Sequence, residues 1–521
     1  MLGFCSQLLY LCYLRKTVCD TMQLKSLAKQ TVIYGLPSIV GRFLNFLLVP
    51  LYTYNFAPDQ YGIVTELYAY VAFLLVLLTY GMETTFFRFM QKYKDDRRVY
   101  STSVWSIAAT TAVFLSLVVG FHNQIGQKMG YPEAGQYITW FGIILSADVL
   151  AAIPFCLLRE QNKAMRFALL KSLNIAVNIF LNLFFILYCP ARLQANPDSW
   201  LRFIYDPSMG VGYIFISNLI ASLFTFICLI PEWKQMRFVF SGKIWREMMV
   251  YTLPVMVWGM AGIINGTFDR ILLRYLNPDP ATAMSQLGIY GACYKLSIIM
   301  TLFVQAFRFA AEPFFFKQMD SGDAQATYAK VMKYFVITCA FIYLVCVLFL
   351  DQLMYFVGAD YRQGADVVPI LLMANLFLGV FFNLSVWYKV SDKTHIGMYI
   401  SLIGAAITIG MNFLLIPVFG YHGAAWTALS CYVVLSVVSY LWGQKCYPVP
   451  YPIKRILLYL AVVVGIGLPS LYLSFGSTWL KVVYGFAGLL VFGALVLKKE
   501  PGLPAMAKGI LNYAKSMVHK R

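Results

Sequence analysis

The order of apolar and polar residues along the chain gives its architecture first. Runs of about 20 mainly apolar residues, the length a helix needs to cross the hydrocarbon of a bilayer, recur from Thr31 almost to Leu497. Read against the turn and charge punctuation between them, they predict helices near 28–55, 62–86, 100–120, 137–157, 166–188, 210–230, 247–273, 286–312, 331–350, 367–388, 395–416, 422–443, 454–474 and 479–497. The expected fold is therefore an all-α integral membrane protein of about fourteen transmembrane helices. An even number of spans puts both termini on one side.

Composition agrees. Sixty per cent of the 521 residues are apolar and 12% are charged, against roughly 25% charged in a soluble chain. The mean hydropathy is +0.69. The eleven cysteines are scattered singly without metal-ligand spacing and read as small buried hydrophobes. Residues 1–21 look unlike the rest, and Met22 offers a more natural start, so that piece reads as an over-extended beginning.

The formal net charge of +18 acquires meaning from its placement. Lysine and arginine concentrate in cytoplasmic loops, and alternate loops here hold 32 of the 41. They include Arg88 to Arg98, Arg159 to Lys171, Lys234 to Arg246, Arg308 to Lys333 and the tail after Leu497. Both ends are thus expected in the cytoplasm. Topology and attraction to anionic lipid account for the charge, and no nucleic-acid reader motif is present.

An internal repeat divides the chain. Val32-Ile-Tyr-Gly-Leu-Pro37-Ser-Ile-Val40 matches Met249-Val-Tyr-Thr-Leu-Pro254-Val-Met-Val257, and Asn182-Leu183 with Gly212-Tyr213 is echoed by Asn412-Phe413 with Gly420-Tyr421. Six helices separate the copies, so the repeat is parallel. The expected organisation is a cytoplasmic segment 1–27, an N-terminal six-helix lobe 28–233, a C-terminal six-helix lobe 234–445, helices 13 and 14 within 446–497, and a basic cytoplasmic tail 498–521.

The opening LAKQTVIYGLPSIVGRFLNFLLVPLYTYNFAPDQYGIV, the segment FDRILLRYL at 268–276, VQAFRFAAEPFFFKQM at 304–319 and NFLLIPVFGYHGAAWTALS at 412–430 resemble the polysaccharide-transporter (Wzx-type) branch of the MATE/MOP superfamily. The resemblance spans residues 23 to about 445. It implies two lobes that alternate between inward- and outward-open states. They would pass an undecaprenyl-pyrophosphate-linked oligosaccharide from the cytoplasmic to the periplasmic leaflet of a bacterial inner membrane, for surface polysaccharide such as O-antigen. It also implies that no ATP is used, and no phosphate-binding loop motif occurs. The implied partners are the lipid-linked oligosaccharide, membrane lipids and the polymerase and glycosyltransferases of the same assembly line. Helices 13 and 14 are similar in number to those of the lipid II flippases, where the extra pair forms a groove for the lipid tail.

An ionisable group inside a span is costly enough to mark function. Arg42, near the middle of the first span, suits bidentate contact with pyrophosphate or a structural pair with an acid. Arg270 suits a cavity or an interfacial cluster with Asp269 and Arg274. Lys295 and Arg308 share the eighth span but point about 220° apart on a straight helix. Arg308 has Glu312 one turn later as a local partner, and Arg88 suits either substrate entry or snorkelling. These cations are the candidate substrate-binding set. The acids Glu66, Asp148, Asp269 and Glu312 are candidates for charge pairing or for coupling to a Na⁺ or H⁺ gradient; no other cofactor and no metal or catalytic residue is expected. Other readings are a lipid II flippase, a MATE-like cation-coupled drug exporter and, least, an integral glycan polymerase or ligase. An exporter of cations prefers an acidic cavity, and an enzyme needs a chemistry-bearing loop. The longest loop, about 189–209, offers Asp198 and Asp206 but no histidine.

Overall fold

A computed structural model describes residues 39–93, 96–130, 135–319, 323–391, 393–473 and 476–501. The expected cytoplasmic segment 1–27, the start of the first span and the tail beyond 501 lie outside the described residues. The described chain is all-helical, and a helix falls in every window marked by apolar periodicity. In chain order these are α1 (39–55), α2 (Pro58–Lys92), α3 (Arg97–Lys128), α4 (Gly135–Glu160), α5 (Ala164–Ala195), α6 (Gly212–Cys228), α7 (Gly242–Leu276) and α8 (Ala283–Leu296 with Ile298–Gln318). They continue with α9 (Ala324–Leu348), α10 (Val367–Val390), α11 (Thr394–Phe419), α12 (Tyr421–Cys446), α13 (Ile453–Tyr472) and α14 (Thr478–Lys499). Eleven of the described helices are long and apolar enough to cross a membrane, and the bent α8 makes a twelfth. The protein is a multi-pass membrane protein.

Local irregularities follow from sequence. Helix α2 breaks at Tyr80 (φ 36) and Gly81 (φ 81). Tyr80 is held there by its hydroxyl, 2.7 Å from the Ser106 hydroxyl, and a side chain at Gly81 would strike Val255. The break re-aims Met82–Lys92, which carries Glu83 and Arg88. In α5 a turn of π-helix, Phe184–Tyr188, precedes Pro190; proline has no N–H and clashes with the carbonyl four residues back, and a wider turn relieves both. Helix α8 bends by 45° at Ser297, so Lys295 and Arg308 lie on two differently directed segments and not on the straight helix expected.

Two compact units divide between Ile271 and Leu272, inside α7. In the first, α4 is the central helix: 78% of its apolar window is buried, against 22% for α5. It packs on α2, α3, α5 and α6. Helix α7 joins α2 through the Thr85 and Thr252 hydroxyls and through stacked Phe73 and Phe268. At the end expected to be cytoplasmic, Lys92 pairs with Glu247 at 2.6 Å and Arg166 with buried Glu232 at 3.0 Å.

In the second unit, α10, α11 and α12 form one packed layer and α9 carries α13 and α14. Gly420 (φ 56) turns α11 into α12, and the two helices approach so closely that a Cβ at Gly423 would enter the Leu415 carbonyl. Gly423→Val is accordingly expected to leave little folded protein, measured as the yield of monodisperse material after detergent extraction; a normal yield would show that the hairpin can open.

The pair α13–α14 is fastened at one end to α9 and at the other to the short helix Leu350–Met354 that follows it. Lys481 Nζ lies 2.6 Å from Asp351 Oδ2. At the opposite end buried Glu500 accepts from Lys333, from Arg455 at 3.1 Å and from the Tyr459 hydroxyl at 3.1 Å. Burial by itself raises the Glu500 carboxyl, but the Lys333 ammonium and the other donors outweigh it and hold the group below its usual range.

Candidate functional site

The first unit brings together charges carried by three of its helices, α2, α4 and α5. The α4–α5 turn closes on Asn162, whose φ of 55 is tolerated by a short amide side chain. Helix α5 therefore starts at Ala164, and Lys171 lies two turns inside it. The loop position expected for Lys171 is thereby corrected: its neighbours Leu169, Leu170 and Leu173 continue the apolar run, and the connection that could have held it is only Gln161 to Lys163.

Lys171 interacts electrostatically with Asp148 of α4 and Glu83 of α2, and its Nζ stands 4.2 Å from the centre of the Phe155 ring. Asp148 is hydrogen-bonded to Ser222 of α6 and is within electrostatic reach of the Tyr68 hydroxyl, which accepts from Asn218 at 2.8 Å. Arg159 is the second cation acting on Glu83 and sits 5.0 Å over the Phe87 ring. Glu83, Asp148 and Lys171 are all within spans, yet all three side chains are exposed. Lys171 is within electrostatic reach of both acids inside the first unit. Ionisable groups persist inside a membrane where they pair with one another. Two acids that share one lysine can compete for it.

The other expected residues are distributed as follows. Arg42 is exposed on α1, beside Gly41, which lies against Ile175 of α5. Arg88 is exposed with its guanidinium 4.1 Å over the Tyr251 ring. Glu66 is fully buried. Asp269 is buried and Arg270 half-buried, and Tyr61 at the start of α2 lies within electrostatic reach of Arg270. In the second unit Arg274 donates to the Met284 sulfur at 3.2 Å, and Lys295 is exposed. Arg308 and Glu312 do form the local pair foreseen from their spacing, at 3.8 Å, but Lys389 of α10 is the closer partner of Glu312.

Asp148 was thus foreseen, while its companions Glu83 and Lys171 were not. Lys171 lies near the edge of its apolar window, five residues after Arg166, and so reads as a loop charge in the sequence. Lys389 likewise ends a span beside Lys393 and reads as an ordinary loop charge.

Comparison with known proteins fits this architecture. The family model described as polysaccharide biosynthesis protein matches residues 27–319. An uncharacterised membrane protein of Methanocaldococcus jannaschii is 21% identical, covering 87% of this chain and 91% of its own length. Among solved structures, the lipid II flippase MurJ in an inward closed conformation aligns with a TM-score of 0.65 at 13% identity, over 90% of this chain and 99% of that one. A multidrug resistance MATE family transporter of the MOP superfamily, inward-facing, aligns with a TM-score of 0.60 at 12% identity, over 83% and 98%. At these identities the structural likeness concerns the fold. With more than half of its length matched by the family model and its helical arrangement shared with these transporters, the chain belongs to the polysaccharide biosynthesis protein family and has the MOP superfamily fold.

Proposed function

We propose that the protein is a flippase, not an enzyme, that carries an undecaprenyl-pyrophosphate-linked oligosaccharide from the cytoplasmic to the periplasmic leaflet of a bacterial inner membrane by alternating access. Both termini are cytoplasmic in this reading, and the product feeds a polymerase and other enzymes of surface polysaccharide assembly. The observation that carries it is the set of exposed cations within or at the ends of apolar spans: Arg42, Arg88, Lys171, Lys295 and Arg308. A diphosphate headgroup needs charge-matched donors along its path through a low-dielectric layer, and guanidinium groups offer them in pairs. The family match over 27–319 supports the class of cargo.

The Lys171, Asp148 and Glu83 cluster supplies coupling to a proton gradient. A secondary transporter needs a site whose charge differs between its states, and this cluster combines both signs of charge on exposed side chains within spans.

Purified protein in liposomes is expected to translocate a lipid-pyrophosphate oligosaccharide without added nucleotide triphosphate. Arg42→Ala should express well and transport roughly tenfold more slowly, the loss of about one charge-assisted hydrogen bond. Full-rate transport by that variant would remove Arg42 from the path. A cationic drug or lipid II carried in place of the oligosaccharide would turn the assignment to the exporter or to the lipid II reading.

A further inference from the structure

A second constellation, wholly within the second unit, has no role in the coupling just described. Arg308, Glu312, Asn383 and Lys389 line a narrow cleft between α8 and α10, with Phe307 and Phe382 among its apolar walls. Arg308 Nε is 3.8 Å from Glu312 Oε2, Lys389 donates to Glu312 Oε1, and the Arg308 guanidinium lies 4.9 Å from the centre of the Phe382 ring. Asn383 is 5% exposed, and its Nδ2 has no acceptor among the described residues.

The balance of donors and acceptors is lopsided. A guanidinium brings up to five N–H groups, an ammonium three and an amide two, whereas a carboxylate offers about four acceptor positions and one negative charge. The cleft therefore has net charge +1 and more donors than Glu312 can receive. Buried donors are nearly always satisfied; the Asn383 amide is the buried donor that lacks an acceptor, and an anion with several oxygens can accept from it together with the two cations beside it. The location agrees with its chemistry: Lys389 ends α10 on the side where the basic loops gather.

We propose that Arg308, Lys389 and Asn383 form a seat for a phosphoryl or pyrophosphoryl group, and that Glu312 is a built-in occupant which the ligand displaces. An empty seat is held together by Glu312, so the two cations stay in place without a ligand. An arriving diphosphate takes over the Lys389 and Arg308 donors and the amide of Asn383. Release is assisted because the carboxylate competes for the same donors. The assignment rests on the proposed anionic lipid cargo for its biological sense, but the binding chemistry is independent of transport.

The test separates the two. Full-length protein in nanodiscs of neutral phosphatidylcholine would be titrated with farnesyl pyrophosphate, as a short polyprenyl diphosphate, and with phosphatidylglycerol, with binding followed by native mass spectrometry and stability by thermal unfolding. Lys389→Met and Arg308→Gln should each weaken farnesyl pyrophosphate binding by about tenfold or more, and Asn383→Leu by a few-fold. Glu312→Gln should act in the opposite direction and tighten binding severalfold, because the competing carboxylate is gone. Affinity that falls or stays unchanged in Glu312→Gln, with a loss of thermal stability, would overturn the seat and leave a structural clip between α8 and α10. Preference for the diphosphate over phosphatidylglycerol assigns the seat to a diphosphate lipid, and equal or reversed preference assigns it to a phospholipid headgroup. Oligosaccharide transport that persists while the seat fails would leave the flippase reading standing, and intact binding without any transport would do the reverse.

Discussion

Lys171→Met is expected to abolish gradient-driven transport while leaving the protein folded. Methionine keeps an unbranched stem of similar length over the Phe155 ring and removes only the ammonium. Asp148 and Glu83 then have lost the cation they share, and the cluster can no longer alternate between an ion-paired and a released arrangement. Accumulation of substrate under an imposed pH gradient should fall by roughly tenfold or more, at least about 1.4 kcal/mol of the driving step. The paired variant Lys171→Met with Asp148→Asn removes one charge of each sign and should fold as well as the parent, yet carry substrate only down its own concentration gradient. Undiminished accumulation in either variant would exclude the cluster from coupling. Glu66, fully buried on the same helix as Glu83, provides the control position as an acid outside the cluster.

Glu500→Ala should release α13 and α14 from α9. The substitution leaves Lys333, itself only 13% exposed, with no carboxylate, and leaves Arg455 and the Tyr459 hydroxyl without their shared acceptor. Breaking a buried pair by removing one member costs about 3 to 5 kcal/mol, and the cost falls on the docking of this hairpin. Limited proteolysis near residues 446–453 and cysteine crosslinking between α9 and α13 should report the release, with the remainder of the unit still protected. The sign of the pH dependence follows from the depressed Glu500 carboxyl. Its contribution is complete above the ordinary glutamate value, about 4.3, and is lost as pH falls through the lower value of the folded state. Hairpin docking should therefore loosen in acid in the parent and show no such step in Glu500→Gln. A parent whose docking is flat to pH 2 would contradict the pairing.

These two sites were legible in the sequence to different degrees. Asp148 stood out because a carboxylate in the middle of GIILSADVLAAIPF has no reason to be there except a partner or a function. Glu500 did not, because one glutamate beside Lys498 and Lys499 at the end of a span is what any interfacial tail looks like. Its burial depends on where α9 and α13 place Lys333, Arg455 and Tyr459, residues 41 to 167 positions away in the chain. Lys171 was misplaced for a related reason. Hydropathy averages over a window, so a single lysine near its edge is indistinguishable from a loop residue until the turn at Asn162 fixes where α5 begins. Periodicity alone does not give the relation between Lys295 and Arg308, because it presumes a straight axis and the 45° bend at Ser297 removes that presumption.

The sequence by itself determined that this is an all-helical membrane protein, where its helices fall, and to which family it belongs. Those properties are local and additive: a 20-residue apolar run must be a helix in lipid, because no water is there to satisfy its backbone. Only the tertiary structure decided which of the few charges share a space. Whether a carboxylate meets a lysine or is sealed in packing depends on the rotation, breaks and bends of each helix. A change of 100° per residue, a left-handed Tyr80 or a bent α8 redirects a side chain without altering the hydropathy that marked the span.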